Sequence, residues 1–156
     1  MLLFRIAGQQ HIEDFRRLGA SYQTGGRWNR AGIPTLYFAA SAAVAMLEMA
    51  QYLPSPRLVP PSYRMGVFEA SDKLRLDRWG TEELPVDWRS FPYPDSTQAL
   101  GSDWLLHGQA ELLALPSAAI PGGLGDIVLA SPARLGPGDV RLIETLAGLY
   151  SPRTFT

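Results

Sequence analysis

The chain has no cysteine, which excludes disulfides and thiolate metal sites and leaves the redox compartment open. Histidine is nearly as scarce. His11 and His107 are the only two, and neither has a partner at a spacing that forms a metal-binding motif, so no resident metal is expected. Lys73 is the single lysine among fourteen basic residues. The rest are arginines, for which coding bias is a sufficient general reason, although one or two such planar forks suit bidentate binding of phosphate or carboxylate. A net charge of −1 supplies no field that would draw nucleic acid or an anionic membrane. No apolar run approaches transmembrane length, because Glu48 interrupts the longest one. The stretch Met1–Ala7 is too short an apolar run for a signal peptide. These absences lead to the expectation of a soluble cytoplasmic protein with no direct nucleic-acid or membrane contact.

What is present reads as one globular domain over residues 1–156, with 46% apolar and 19% charged residues. Leu2–Ile6, Thr35–Ala39, Tyr63–Ala70, Leu74–Asp77, Glu111–Leu115 and Asp126–Ala130 read as strands. Ile12–Leu18 reads as a short helical turn, and Gly19–Arg30 as a loop. A helix is expected from the N-cap Ser41 to Leu53, where Pro54 and Pro56 stop it, and another over Ser96–Leu106. Arg78–Pro94 reads as irregular surface, Gly122–Gly125 as a turn, and Val140–Ile143 fits strand or helix. Strands outnumber helices without regular βαβ alternation, so the expected class is α+β with a mixed sheet at its core.

Glu48 is the only formal charge between Arg30 and Arg57, on an alanine- and methionine-rich helix. A carboxylate in such a place is costly without a partner. Upstream, Gly25 and Gly26 allow close backbone approach, and Arg27 offers a fork of donors suited to pyrophosphate. Trp28 and Asn29 are placed to brace that loop, and Tyr37 brings a ring that can stack on a flat base. A phosphate clamp, a stacking ring and a carboxylate suit cleavage of a nucleotide at an N-glycosidic bond. The structural alternative is a salt bridge from Glu48 to Arg27, holding helix to loop. A hydrolase built from Ser117, His107 and Asp103 or Asp126 lacks the Gly-x-Ser-x-Gly elbow, and Gly122-Gly-Leu-Gly125 lacks the Gly-Lys-Ser/Thr of a P-loop.

Several blocks resemble the RES-domain family: Gly25-Gly-Arg-Trp-Asn-Arg-Ala-Gly32, Leu36-Tyr-Phe-Ala-Ala-Ser41, Ala45 with Glu48, Leu100-Gly-Ser-Asp-Trp-Leu105 and Leu115-Pro-Ser-Ala-Ala-Ile-Pro121. The arginine, glutamate and serine of the family's name match Arg27, Glu48 and Ser117. The resemblance implies a bacterial type II toxin with a fold similar to ADP-ribosyltransferase toxins. It further implies an Xre-like helix-turn-helix antitoxin as partner. The implied activity is cleavage of NAD+ at the nicotinamide–ribose bond by water or phosphate, or transfer of ADP-ribose to a protein acceptor. NAD+ is then the substrate, with no other cofactor. A third possibility is a weakly catalytic chain that only binds its antitoxin. Carried over by position, the catalytic set is Arg27, Glu48 and Ser117, and the substrate-binding set is Tyr37, Arg5, Trp28 and Asn29. Arg27 would hold the pyrophosphate or a ribose, Tyr37 would line the nicotinamide side, and Ser117 would bond Glu48 or the ribose. Arg5 would reach phosphate, and the antitoxin would cover the Arg27–Glu48 cleft. The chain departs from the family at Gly122-Gly-Leu-Gly-Asp-Ile-Val-Leu-Ala-Ser-Pro132, where an asparagine-rich stretch is usual.

Overall fold

The computed structural model describes residues 1–15, 19–53, 55 and 58–154. Strands β1 (Leu2–Gly8), β2 (Leu36–Ala39), β3 (Tyr63–Ala70), β4 (Leu76–Arg78), β5 (Leu112–Pro116), β6 (Asp126–Ala130) and β7 (Val140–Leu146) form one sheet in the order β4-β5-β6-β2-β1-β3-β7. β4 runs parallel to β5 and the other pairings are antiparallel, so the sheet is mixed and the class is α+β. Helices α1 (Ala20–Thr24), α2 (Ala42–Ala50) and α3 (Asp95–His107) connect the strands.

β5 explains the depth of the core. All five of its residues are buried, because Leu113 and Leu115 pack on one side of the sheet and Leu112 and Ala114 on the other. The first side also holds Val44 and Ala45 of α2, Trp104 and Leu105 of α3, and the fully buried Trp28.

The position of the site follows from a weakness in the sheet. β1 and β2 share a single paired position, Phe4 with Ala39, whereas β1 and β3 pair over seven positions from Leu2–Glu69 to Gly8–Tyr63. Beyond Phe4 the chain of β1 parts from β2. The sheet thus has a β4-β5-β6-β2 half and a β1-β3-β7 half, with a cleft where they diverge.

Several elements differ from the sequence expectation. Gly19–Arg30 is not all loop: α1 forms within it, with the Thr24 hydroxyl donating to Ala20 O at 2.9 Å and Gly25 ending it at φ 84°. α2 stops at Ala50 rather than Leu53. Its last amides, Gln51, Tyr52 and Leu53, bond the carbonyls three residues back, so the chain tightens into turns before the prolines. The Ser41 hydroxyl caps α2, accepting from Val44 N at 3.2 Å. Near the expected turn at Ile12–Leu18 a 3-10 turn sits earlier, at Gln9–His11, and residues 16–18 lie outside the described residues. The ambiguous Val140–Ile143 is the start of β7. Arg78–Pro94 is not merely surface, since Trp88 is buried in the core.

Candidate functional site

A cavity of about 910 Å³ occupies the cleft. That is room for a ligand of nucleotide or dinucleotide size. Its walls come from β1, α1, the loop before β2, β2, the C-terminal half of α2 and the segment 89–93.

The loop carrying Arg27 is held from three sides. Asn29 Nδ2 donates to Ser21 O at 2.8 Å and to Arg30 O at 3.0 Å. The Tyr37 hydroxyl donates to Asn29 Oδ1 at 2.6 Å and accepts from Trp28 N at 3.1 Å. Gln98 of α3 donates to Gly26 O at 3.0 Å. Gly26 must be glycine for this closure, since a Cβ there would lie 2.7 Å from the Tyr37 hydroxyl and 2.8 Å from Asn29 Oδ1. Burial pushes the Tyr37 hydroxyl well above its ordinary range, so it stays a neutral donor in this network.

Trp28 and Asn29 brace this loop by packing and hydrogen bonding, the role their place beside Arg27 suggests. Both side chains are fully buried; the Trp28 ring packs edge-on to Trp79 at 6.4 Å and also borders the cavity, whereas Asn29 does not line it. Tyr37 divides its roles: its ring lines the cavity and its hydroxyl belongs to the loop.

Arg27 projects from this loop into the cleft. Its Nη1 donates to Trp88 O and Ser90 O, both at 2.7 Å, and its guanidinium lies 5.0 Å from the centre of the Tyr93 ring. Nε and Nη2 have no hydrogen-bond acceptor among the described residues. Arg27 forms no ion pair with Glu48, so the structural alternative drawn from the sequence is not realised.

Glu48 sits half-buried on the cavity wall. Its Oε1 accepts from the Ser117 hydroxyl at 2.5 Å and its Oε2 from Gln51 Nε2 at 3.2 Å. Ser117 directly follows β5 and is fully buried. Its amide bonds Gly125 O at 2.8 Å, extending the β5–β6 ladder by one step, and its Oγ accepts from Ala119 N at 3.1 Å. The glycines of 122–125 thus serve the turn that brings the chain back beside Ser117. Ser117 lies behind Glu48, with its hydroxyl bonded to the carboxylate, and does not line the cavity. His107 pairs with Asp103 at 3.0 Å on the exposed face of α3, while the Ser117 hydroxyl is given to Glu48, which leaves the serine-hydrolase arrangement unassembled.

Arg5 enters from β1, across the cleft. Its Nη2 reaches His11 O at 3.5 Å, while Nη1 is buried with no hydrogen-bond partner. Burial draws the Arg5 guanidinium below its ordinary value and Asp14 opposes the shift. A partly desolvated guanidinium with a spare donor favours an anionic ligand.

The rim of the cleft carries no signal in the sequence. Arg89 donates through Nε and Nη2 to Ala118 O at 3.3 and 3.1 Å, tying the 89–93 segment to the turn after Ser117. The Tyr52 and Tyr93 hydroxyls bond each other at 2.8 Å across the mouth. No local pattern signals these residues, because the segment's Trp, Pro and acidic content reads as irregular chain.

Two arginines and a glutamate drawn from distant stretches therefore face one cleft, with a serine behind the glutamate. A RES domain family model matches residues 2–141. The chain belongs to the RES domain family. Curated RES relatives include the Prs ADP-ribosylating toxin of Sphingobium sp., 30% identical over 142 residues and spanning 90% of this chain and 86% of that protein. Another is a Toxin Res of Pseudomonas putida, 32% identical over 122 residues, spanning 78% and 79% of the two chains. The RES fold here also matches a chain in the crystal structure of the M. tuberculosis MbcT–MbcA toxin–antitoxin complex. The TM-score is 0.70 at 23% identity, over 94% of this chain and 82% of that one.

Proposed function

We propose that this RES chain is a toxin that consumes NAD+ by cleaving its nicotinamide–ribose bond. The observation that carries the reading is Glu48, a carboxylate oriented by Ser117 on the wall of a cleft that also receives Arg27 and Arg5. Arg27 keeps donors for a pyrophosphate, and Arg5 adds a second cation. The bond to be broken joins ribose C1′ to the ring nitrogen of a pyridinium. Its electron pair leaves with the ring as neutral nicotinamide, so the leaving group needs no proton. Positive charge grows on C1′ and the ring oxygen, and an ionised carboxylate on that side stabilises it. Water or inorganic phosphate then adds at C1′ and releases its proton.

The experiment is nicotinamide release from NAD+ by purified, antitoxin-free protein, with and without phosphate. Glu48→Ala is expected to lower kcat by about 10³-fold, the scale for losing one electrostatic stabiliser. Wild type that releases nothing, or Glu48→Ala as active as wild type, refutes the reading. Recovery of ADP-ribose or its phosphate identifies the acceptor.

A second reading is transfer of ADP-ribose to a protein side chain, favoured by the name of the Sphingobium relative. Labelled NAD+ in lysate distinguishes it by a labelled protein band. The partner we propose is an Xre-like helix-turn-helix antitoxin covering the rim, where Phe91 is 78% exposed beside the cleft.

A further inference from the structure

Both oxygens of Glu48 are occupied, and by neutral donors. Ser117 reaches Oε1 from the end of β5, and Gln51 reaches Oε2 from the end of α2. Among the described residues no ion pair includes Glu48. Ser117 alone leaves the carboxylate free to swing about its terminal torsion, which is broad for this side chain. A second donor on the other oxygen fixes the plane. Gln51 stands three residues after Glu48, where helical side chains share a face, and it forms the C-cap of α2 with its amide bonded to Glu48 O and Met49 O. Its backbone is therefore held at the spot from which its side chain reaches the carboxylate.

The identity of the residue is informative. The C-terminal turn of a helix favours Lys or Arg, which complement the carbonyl ends of the macrodipole. α2 has no basic residue in its last turn. A cation at position 51 would suit both the helix end and Glu48, and arginine is common elsewhere in the chain. The position instead carries a neutral amide that lines the cavity.

We propose that Gln51 is a positioning residue for Glu48, a donor that orients the carboxylate without neutralising it. This rests on the reading of Glu48 as the group that stabilises positive charge at C1′. A lysine here would hold the carboxylate equally well in the ground state. Its charge would oppose the charge that develops on the ribose. Stability and catalysis are then separable at this one position.

The test compares wild type, Gln51→Met and Gln51→Lys in NAD+ turnover and thermal unfolding. Gln51→Met keeps the length and loses the donor. It is expected to lower kcat about tenfold with KM within about twofold, as for an interaction felt in the transition state. Gln51→Lys is expected to unfold at or above the wild-type temperature while kcat falls at least as far as in Gln51→Met. A purely structural role predicts that stability and kcat move together. Full kcat in Gln51→Lys overturns the proposal, as does a rise in KM with unchanged kcat in Gln51→Met. Wild type that releases no nicotinamide overturns the reading of Glu48 and this inference together. Active wild type with indifferent Gln51 variants overturns the inference alone.

Discussion

At the scale of single residues, the site is built on side chains with two loyalties. Arg27 is the clearest. Its Nη1 anchors the chain at Trp88 and Ser90, and its other nitrogens remain for a ligand. Lysine has no fork with which to do both. Arg27→Lys should therefore raise KM for NAD+ by about tenfold, the scale of losing one charge-assisted hydrogen bond. It should also make the chain near Ser90 more sensitive to limited proteolysis. A rise in KM with an unchanged digestion pattern would mean that the two carbonyl bonds do not hold the segment. Glu48 was legible from the sequence as an isolated charge that needed partners. Ser117, 69 residues away, was legible only through the family resemblance, which allowed it to bond Glu48 or the ribose, and Gln51 was not legible at all, an ordinary residue in an ordinary place. Trp28 and Asn29 were more legible. Their bracing of the Arg27 loop was legible from their place in the chain, and the structure adds that both are fully buried while Trp28 also borders the cavity.

At the scale of elements, α3 sets how close the Arg27 loop can come. Gly101 is buried on α3, and a Cβ there would lie 2.0 Å from Trp28 O. Backbone, unlike a flexible side-chain end, cannot yield cheaply. Gly101→Ala should destabilise the fold by about 3 kcal/mol, the upper end for overpacking, and lower Tm by roughly 10 °C for a chain of this size. Differential scanning calorimetry measures this, and an unchanged Tm would mean that α3 moves freely away from the loop. The helices and strands with a clear period were legible: β3 and β6 have the expected bounds, and α3 is one residue longer at each end. α1 was not, because five residues around a Ser-Tyr-Gln segment have no apolar period. It is held by contacts from elsewhere, including the Asn29 amide on Ser21 O. The shortened α2 likewise reflects local turn bonds that no residue type announces.

At the scale of the whole molecule, the parting of β1 from β2 matters most. It opens the core between two halves of a sheet, with Arg5 on one half and Tyr37 on the other. A ligand that engages both would join the halves and favour the folded state by mass action. NAD+ at a hundredfold excess over its Kd should stabilise the inactive Glu48→Ala protein by about 2.7 kcal/mol, which is roughly 5–10 °C in Tm. No shift would show that the cleft does not take the dinucleotide. The same NAD+ concentration should stabilise Glu48→Ala carrying Arg27→Lys by only about 1.4 kcal/mol, because its Kd is about tenfold higher.

The sequence by itself determined the class of the molecule and the chemistry available to it. Hydrophobic alternation and glycine–proline punctuation act locally and leave their trace in order along the chain. So does the choice of arginine, glutamate and serine inside recognisable blocks. The tertiary structure decided how those residues are used. It placed Ser117 behind Glu48, directed Arg27 Nη1 to two carbonyls, brought Tyr52 to Tyr93 across the mouth and made Gln51 a second donor to the carboxylate. Those relations depend on where strands part and where a helix tightens. They arise from the packing of segments far apart in the chain, for which no local pattern exists to be read.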